Sequence, residues 1–120
     1  MEEKDDKYTR IAIPIVDGKL AQHFGHCENF SLFDVDEEKK EIVNTTMVTS
    51  PPHQPGMLPP WLAERGVNII ITGGMGRRAQ NIFETHRIRV VLGAPSDEPT
   101  IIINQYLGGT LVTGENICDH

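Results

Sequence analysis

Apolar and polar positions along this chain change rhythm once, and the change divides the fold. From Tyr8 to Val16 the apolar residues first alternate and then run together as Ile11-Ala12-Ile13-Pro14-Ile15-Val16, which predicts a buried strand stopped by the turn Asp17-Gly18. Pro14 has no amide N–H, so this strand must bulge, end its pairing there or lie at an edge on that side. Phe30 to Val35 and Ile42 to Val48 predict two more strands around the polar tip Asp36-Glu37-Glu38-Lys39-Lys40, a hairpin. The first third therefore reads as antiparallel β. The stretch Ser50-Pro51-Pro52-His53-Gln54-Pro55-Gly56 fits neither helix nor central strand and is a loop.

Beyond it the period becomes that of β-α units. A helix begins at Leu58, tolerates Pro59 and Pro60 in its first turn, and is stopped by Gly66. Val67 to Thr72 is the short apolar run of a buried parallel strand. Gly73-Gly74-Met75-Gly76 turns it into a helix from Arg77 to Thr85, with Ala79, Ile82 and Phe83 on one face. Arg89 to Leu92 is a further strand, and Ser96 or Asp97 is placed to cap a last helix ended by Gly108-Gly109. The order β-β-β-α-β-α-β-α predicts an α/β fold: a ribonuclease H-like mixed sheet of about five strands with helices packed on its faces.

A length of 120 residues suits one domain, expected over residues 10–114, with a charged terminus at 1–9 and a tail at 115–120. No apolar run approaches the roughly 20 residues needed to cross a bilayer, so no membrane association is expected. The opening Met1-Glu2-Glu3-Lys4-Asp5-Asp6-Lys7 lacks the apolar core of a secretory signal, which points to the cytoplasm. There the 2 cysteines are expected as thiols. A net charge of -6 opposes nucleic-acid binding, whose affinity comes from basic side chains.

Chemistry gathers in His23-Phe24-Gly25-His26-Cys27, where two imidazoles and a thiol follow the first strand, and again in Cys118-Asp119-His120. His23, His26, Cys27, His53, Cys118 and His120 are all donor types for soft or borderline metals. The spacing matches no standard zinc signature, however, and Phe24 and Cys27 can equally pack inward while the histidines face solvent. The residues alone leave both readings open. Gly73, Gly74, Met75 and Gly76 form a second candidate, since amides of such a turn, with the helix dipole and the field of Arg77 and Arg78, can cradle an anion. Tight strand-to-helix turns also use glycine for conformation alone. His86 is placed to favour a helix C-terminus. Asp17, Asp34, Asp36 and Glu64 are numerous enough for two-metal nuclease chemistry but poorly placed for it. No third group is identifiable to orient His23 or His26 as a base toward Cys27, so no enzyme is expected.

Ile11-Ala12-Ile13-Pro14, His23-Phe24-Gly25, the Phe30 strand, Val67 to Gly76 and Leu107-Gly108-Gly109 together resemble the dinitrogenase iron-molybdenum cofactor biosynthesis family, over roughly Arg10 to Gly114. The resemblance is to stand-alone domains similar to NifX and the C-terminal domain of NifB. It implies the same sheet and a role in binding or carrying an iron-sulfur or molybdenum-containing metal-sulfur cofactor, with metallocluster donor and recipient proteins as partners. His23 is implicated by the His-Phe-Gly motif; the remaining donors follow from side-chain chemistry. Few cysteines suit a carrier better than a permanent cluster site. The alternatives are a module for a single zinc or nickel ion and a cofactor-free interaction or regulatory domain.

Overall fold

The break in rhythm corresponds to a sheet that is antiparallel on one side and parallel on the other. The structure, a computed structural model, describes residues 7–52 and 56–114. Its strands are β1 (Thr9–Val16), β2 (Lys19–Leu20), β3 (Asn29–Asp36), β4 (Glu41–Thr49), β5 (Ile69–Ile71) and β6 (Arg89–Val91), and its helices are α1 (Leu58–Glu64), α2 (Arg77–Thr85) and α3 (Pro99–Gly108). They form one mixed sheet of six strands in the order β4-β3-β1-β5-β6, with β2 pairing β1. The β1–β3 and β3–β4 pairs are antiparallel, whereas β1–β5 and β5–β6 are parallel. Thus β1 is the seam. The sixth strand is β2, and a two-residue element paired as Ile15↔Leu20 and Val16↔Lys19 is too short to carry a period in the sequence.

Pro14 sits in the middle of this central strand without disrupting it. Pairing with β5 covers Ile11 and Ala12, and pairing with β2 starts at Ile15, so Pro14 falls in the interval between them. Its carbonyl accepts from the Ala21 amide at 2.8 Å. The missing N–H faces that same interval, away from the β3 ladder, where no bond is lost. Of the three options proline left open, the strand ends its pairing there on that side.

Alternation along the strands fills two cores, one on each face. Ile11, Ile13, Ile15, Phe33 and Val35 pack with Ile102, Ile103 and Leu107 of α3. Ala12, Phe30, Leu32 and Ile70 pack with Leu58 and Leu62 of α1 and Phe83 of α2. Where β1 meets β3, Arg10 donates to both carboxylate oxygens of Asp34, at 2.7 and 3.0 Å, and to the carbonyl of Arg65 at 2.7 Å.

The start of α3 differs from expectation. Glu98 is its N-cap residue and Pro99 its first residue, with no side-chain capping bond. Ser96 instead donates to the Leu20 carbonyl, and the Asp97 carbonyl accepts from the Leu20 amide at 2.9 Å, which fastens the approach to the helix onto β2, while the Asp97 side chain accepts from the neighbouring Glu98 amide. No helix among the described residues is long and apolar enough to cross a membrane.

Candidate metal-binding site

The loop after β2 is built onto the end of β5. Phe24 anchors it: the ring is buried, edge-on to Phe83 at 5.3 Å and tilted against Phe30 at 6.2 Å. Its amide donates to the Gly74 carbonyl at 2.9 Å, and His23 and Gly74 form an isolated parallel bridge. One residue earlier, the Gly73 amide donates to the Ala21 carbonyl at 3.2 Å, and buried Thr72 directs its hydroxyl to the same oxygen at 3.4 Å. The loop thereby extends the sheet alongside the carboxyl end of β5, the end at which open α/β sheets commonly place ligands. The two stretches singled out by their chemistry, His23 to Cys27 and Gly73 to Gly76, are brought together.

Gly73 is required by that approach. A Cβ there would lie 2.7 Å from the Gln22 carbonyl oxygen and 2.8 Å from its Cα, both backbone atoms that cannot turn aside. The anion cradle expected from the turn is reduced accordingly. Gly73 spends its amide on Ala21; the carbonyls of Gly73 and Gly74 are taken by Gly93 and Phe24. The Met75 side chain points into the core, 1% exposed, while its carbonyl accepts from Gln80. The part of the turn that meets solvent is Gly76, the N-cap of α2, with no side chain capping it and Arg77 and Arg78 exposed behind it.

His23 is exposed, and His26 closes the short 3-10 turn that Phe24 opens. Cys27 is half-buried, packed partly against the Phe24 core, with its thiol 3.8 Å from the Ser50 hydroxyl. Burial pushes its pKa up, with the Ser50 hydrogen bond and the backbone opposing. His53, Cys118 and His120 lie outside the described residues. Among the described residues no three His, Cys, Asp or Glu side chains converge as a metal-holding group. Nor do the carboxylates gather: Asp34 is paired with Arg10, and Asp36 accepts the amides of Glu38 and Lys39 in the hairpin turn. His86 is the C-cap residue of α2, at the helix end expected for it.

Three contributors escaped the sequence. Thr72 and Ser50 give no local signal. Gly93 could have been noticed in its Gly-Ala-Pro turn, and it adopts a φ of 79° while its amide donates to the Gly73 carbonyl at 2.7 Å.

The sequence profile described as dinitrogenase iron-molybdenum cofactor matches residues 7–109. The chain belongs to the dinitrogenase iron-molybdenum cofactor family. It is similar to the uncharacterized protein MJ0580 of Methanocaldococcus jannaschii, with 34% identity over 82 residues, covering 65% of this chain and 69% of that protein. Among solved structures, PH0822 matches with a TM-score of 0.82 and 30% identity, covering 90% of this chain and 96% of its own. The apo form of the orange protein from Desulfovibrio gigas matches with a TM-score of 0.68 at 21% identity, covering 90% of this chain and 94% of its own, a likeness of fold. In this member of the iron-molybdenum cofactor family, the His-Phe-Gly loop and the glycine turn are neighbours because Phe24 and Gly74 share a hydrogen bond.

Proposed function

We propose that the protein binds a metal-sulfur cluster of the iron-sulfur or iron-molybdenum type as cargo, and carries it between a donor and a recipient protein during metallocluster assembly. The observation that carries this reading is the bridge between His23 and Gly74, which sets a soft-metal donor loop beside the start of α2. Membership of the iron-molybdenum cofactor family supports the class of cargo.

The residues suit reversible holding. His23 presents an exposed imidazole on a loop fixed from below by Phe24, so the donor is positioned without being enclosed. Cys27 must lose its proton to ligate, and its burial makes the free thiolate costly. A contact that forms only when metal replaces that proton is easily reversed, as a carrier requires. The uncapped first turn of α2 and the charges of Arg77 and Arg78 favour an anionic cargo over a bare cation. That preference also weighs against a single zinc or nickel ion.

The test is anaerobic incubation with a preformed iron-sulfur cluster or a molybdenum-containing one, followed by iron, molybdenum and acid-labile sulfide analysis. Bound metal accompanied by sulfide is expected, and the His23→Ala, Cys27→Ser double variant should retain at least about tenfold less, the loss expected on removing well-placed donors. Equal uptake by wild type and double variant would refute the assignment of the loop. Metal bound without sulfide would refute the cluster, and a protein that stays metal-free throughout would refute the carrier reading.

A further inference from the structure

We infer that β4 is a docking edge for a second copy of this chain, the two strands pairing antiparallel about a two-fold axis at Thr45 and joining their sheets into one. The inference uses no residue of the candidate metal site and stands apart from the carrier reading. The sheet ends at β4 on one side and at β6 on the other. Among the described residues β4 pairs with β3 and with no other strand, so the backbone groups along its outer side have no ladder partner. Every residue from Val43 to Met47 is exposed.

Proteins ordinarily protect such an edge with charge, proline, brevity or a bulge. β6 follows that rule, being three residues long and opening on exposed Arg89. β4 does not. From Ile42 to Thr49 it runs eight residues with no charge and no proline, six of them β-branched, about 27 Å of strand suited to pairing. A bulge leaves Val43 without a partner in β3, but Asn44 to Thr49 keep unbroken register with that strand.

The strand that fits this edge is the strand itself. Its large exposed apolar residues, Val43 at 47% and Met47 at 58%, stand equally far on either side of Thr45. A two-fold through Thr45 therefore sets Val43 of each copy opposite Met47 of the other, Asn44 opposite Thr46, and Thr45 opposite its own counterpart, cross-strand pairs of the kind that stabilise a sheet. Charge selects the same arrangement. With a net charge of -6, two copies repel where charged surfaces meet, and this stretch is uncharged. A foreign strand of acidic or basic character would find no complementary charge here. Antiparallel pairing also sends the acidic hairpin tips, Asp36 to Glu38, to opposite ends of the interface, farther apart than the screening length of about 8 Å in physiological salt. A pairing of edges alone is a small interface, so the dimer is weak and forms as concentration rises.

Analytical ultracentrifugation of the full chain from about 10 µM to 1 mM, a span that covers weak affinities, should show monomer and dimer in equilibrium. Thr45→Lys and Thr45→Glu each set like charges across the axis, and each, with a circular dichroism spectrum matching wild type, should dimerise at least about tenfold more weakly. Mixed in equal amounts, the two variants should regain association, because lysine then meets glutamate. A second measurement needs no variant: hydrogen exchange at β4 amides of wild type should slow as concentration rises, while exchange in β6 stays constant. Wild type that remains monomeric across the range overturns self-pairing, whether the edge is then bare or taken by another protein. A dimer that both folded variants keep at wild-type strength, a mixture no stronger than either variant alone, or β4 exchange that ignores concentration overturns the assignment of the interface to this edge.

Discussion

The amide of Phe24 donates to the carbonyl of Gly74 at 2.9 Å, joining residues fifty positions apart along the chain. This bond connects the two features whose chemistry stands out in the sequence. On one side, the Phe24 ring is sunk between Phe30 and Phe83, so the loop cannot drift from the sheet without opening the core. On the other, Gly74 follows directly from β5 and leads into α2. A histidine next to Phe24 inherits a fixed position while its own side chain faces solvent.

If this attachment positions the loop, Gly73→Ala should damage it. The added methyl meets the Gln22 backbone at 2.7 and 2.8 Å, and relief requires moving the segment that carries His23. Overpacking of this kind costs about 1–3 kcal/mol. Urea denaturation should show that loss, and hydrogen exchange at the Phe24 amide should accelerate more than exchange in β3. A variant as stable as wild type, with an equally protected Phe24 amide, would show that the close approach is dispensable.

Cys27 has a pKa raised by burial, and the sign of its effect on stability follows. Above the ordinary thiol pKa of about 8.5 the unfolded chain has released this proton while the native state still holds it. The unfolded state then binds fewer protons, so stability is fully present below that pH and falls as pH rises toward the native pKa. The loss attributable to one group is at most about 1.4 kcal/mol per pH unit. Denaturation of wild type and Cys27→Ser across pH 8 to 10 (roughly the range in which a thiol titrates) should show the steeper decline in wild type. Alkylation of Cys27 by iodoacetamide should also lag behind that of an unhindered thiol; equal rates would contradict the burial argument.

Much of the architecture was legible because it rests on local pattern. The strands around Ile11, Phe30 and Ile70, the helix from Leu58 and the glycine turn each announce themselves through period or punctuation. What was hidden depends on partners distant in sequence. The two-residue β2 exists because Ile15 and Leu20 pair, and no window of sequence contains that fact. Ser96 and Asp97 have the chemistry of N-caps, yet each finds another partner, so the helix starts at Pro99. The proximity of His23 to Gly74 was likewise invisible, since it arises from the crossover that places β5 beside β1. The residues of the site were readable; their arrangement was not.

Asp34, one of the carboxylates considered for nuclease chemistry, has a structural task that predicts its mutational behaviour. Its side chain is 13% exposed and accepts two bonds from Arg10, which also holds the Arg65 carbonyl at the end of α1. Replacing Asp34 by Asn removes the charge but keeps one acceptor. A cost of about 1–3 kcal/mol is expected for weakening a charge-assisted, partly buried pair. Cluster uptake at the other end of β1 should be unaffected once stability is accounted for. Loss of uptake in a fully folded Asp34→Asn protein would mean that this carboxylate belongs to the site.

Met75 separates packing from ligation most directly. It lies in the glycine turn, and its thioether is a soft donor, but the side chain is 1% exposed among Phe24, Phe83 and Ile70. Its contribution is then the filling of space where the loop, β5 and α2 meet. Met75→Ala should cost about 2–5 kcal/mol, as large-to-small changes in a core do. Met75→Leu nearly conserves volume and should cost less than about 1.5 kcal/mol. Because leucine cannot ligate, the leucine variant is also a test of chemistry: it should take up cluster as wild type does. A folded Met75→Leu protein that fails to bind cargo would place the sulfur in the ligand set and require the Met75 side chain to turn out of the core.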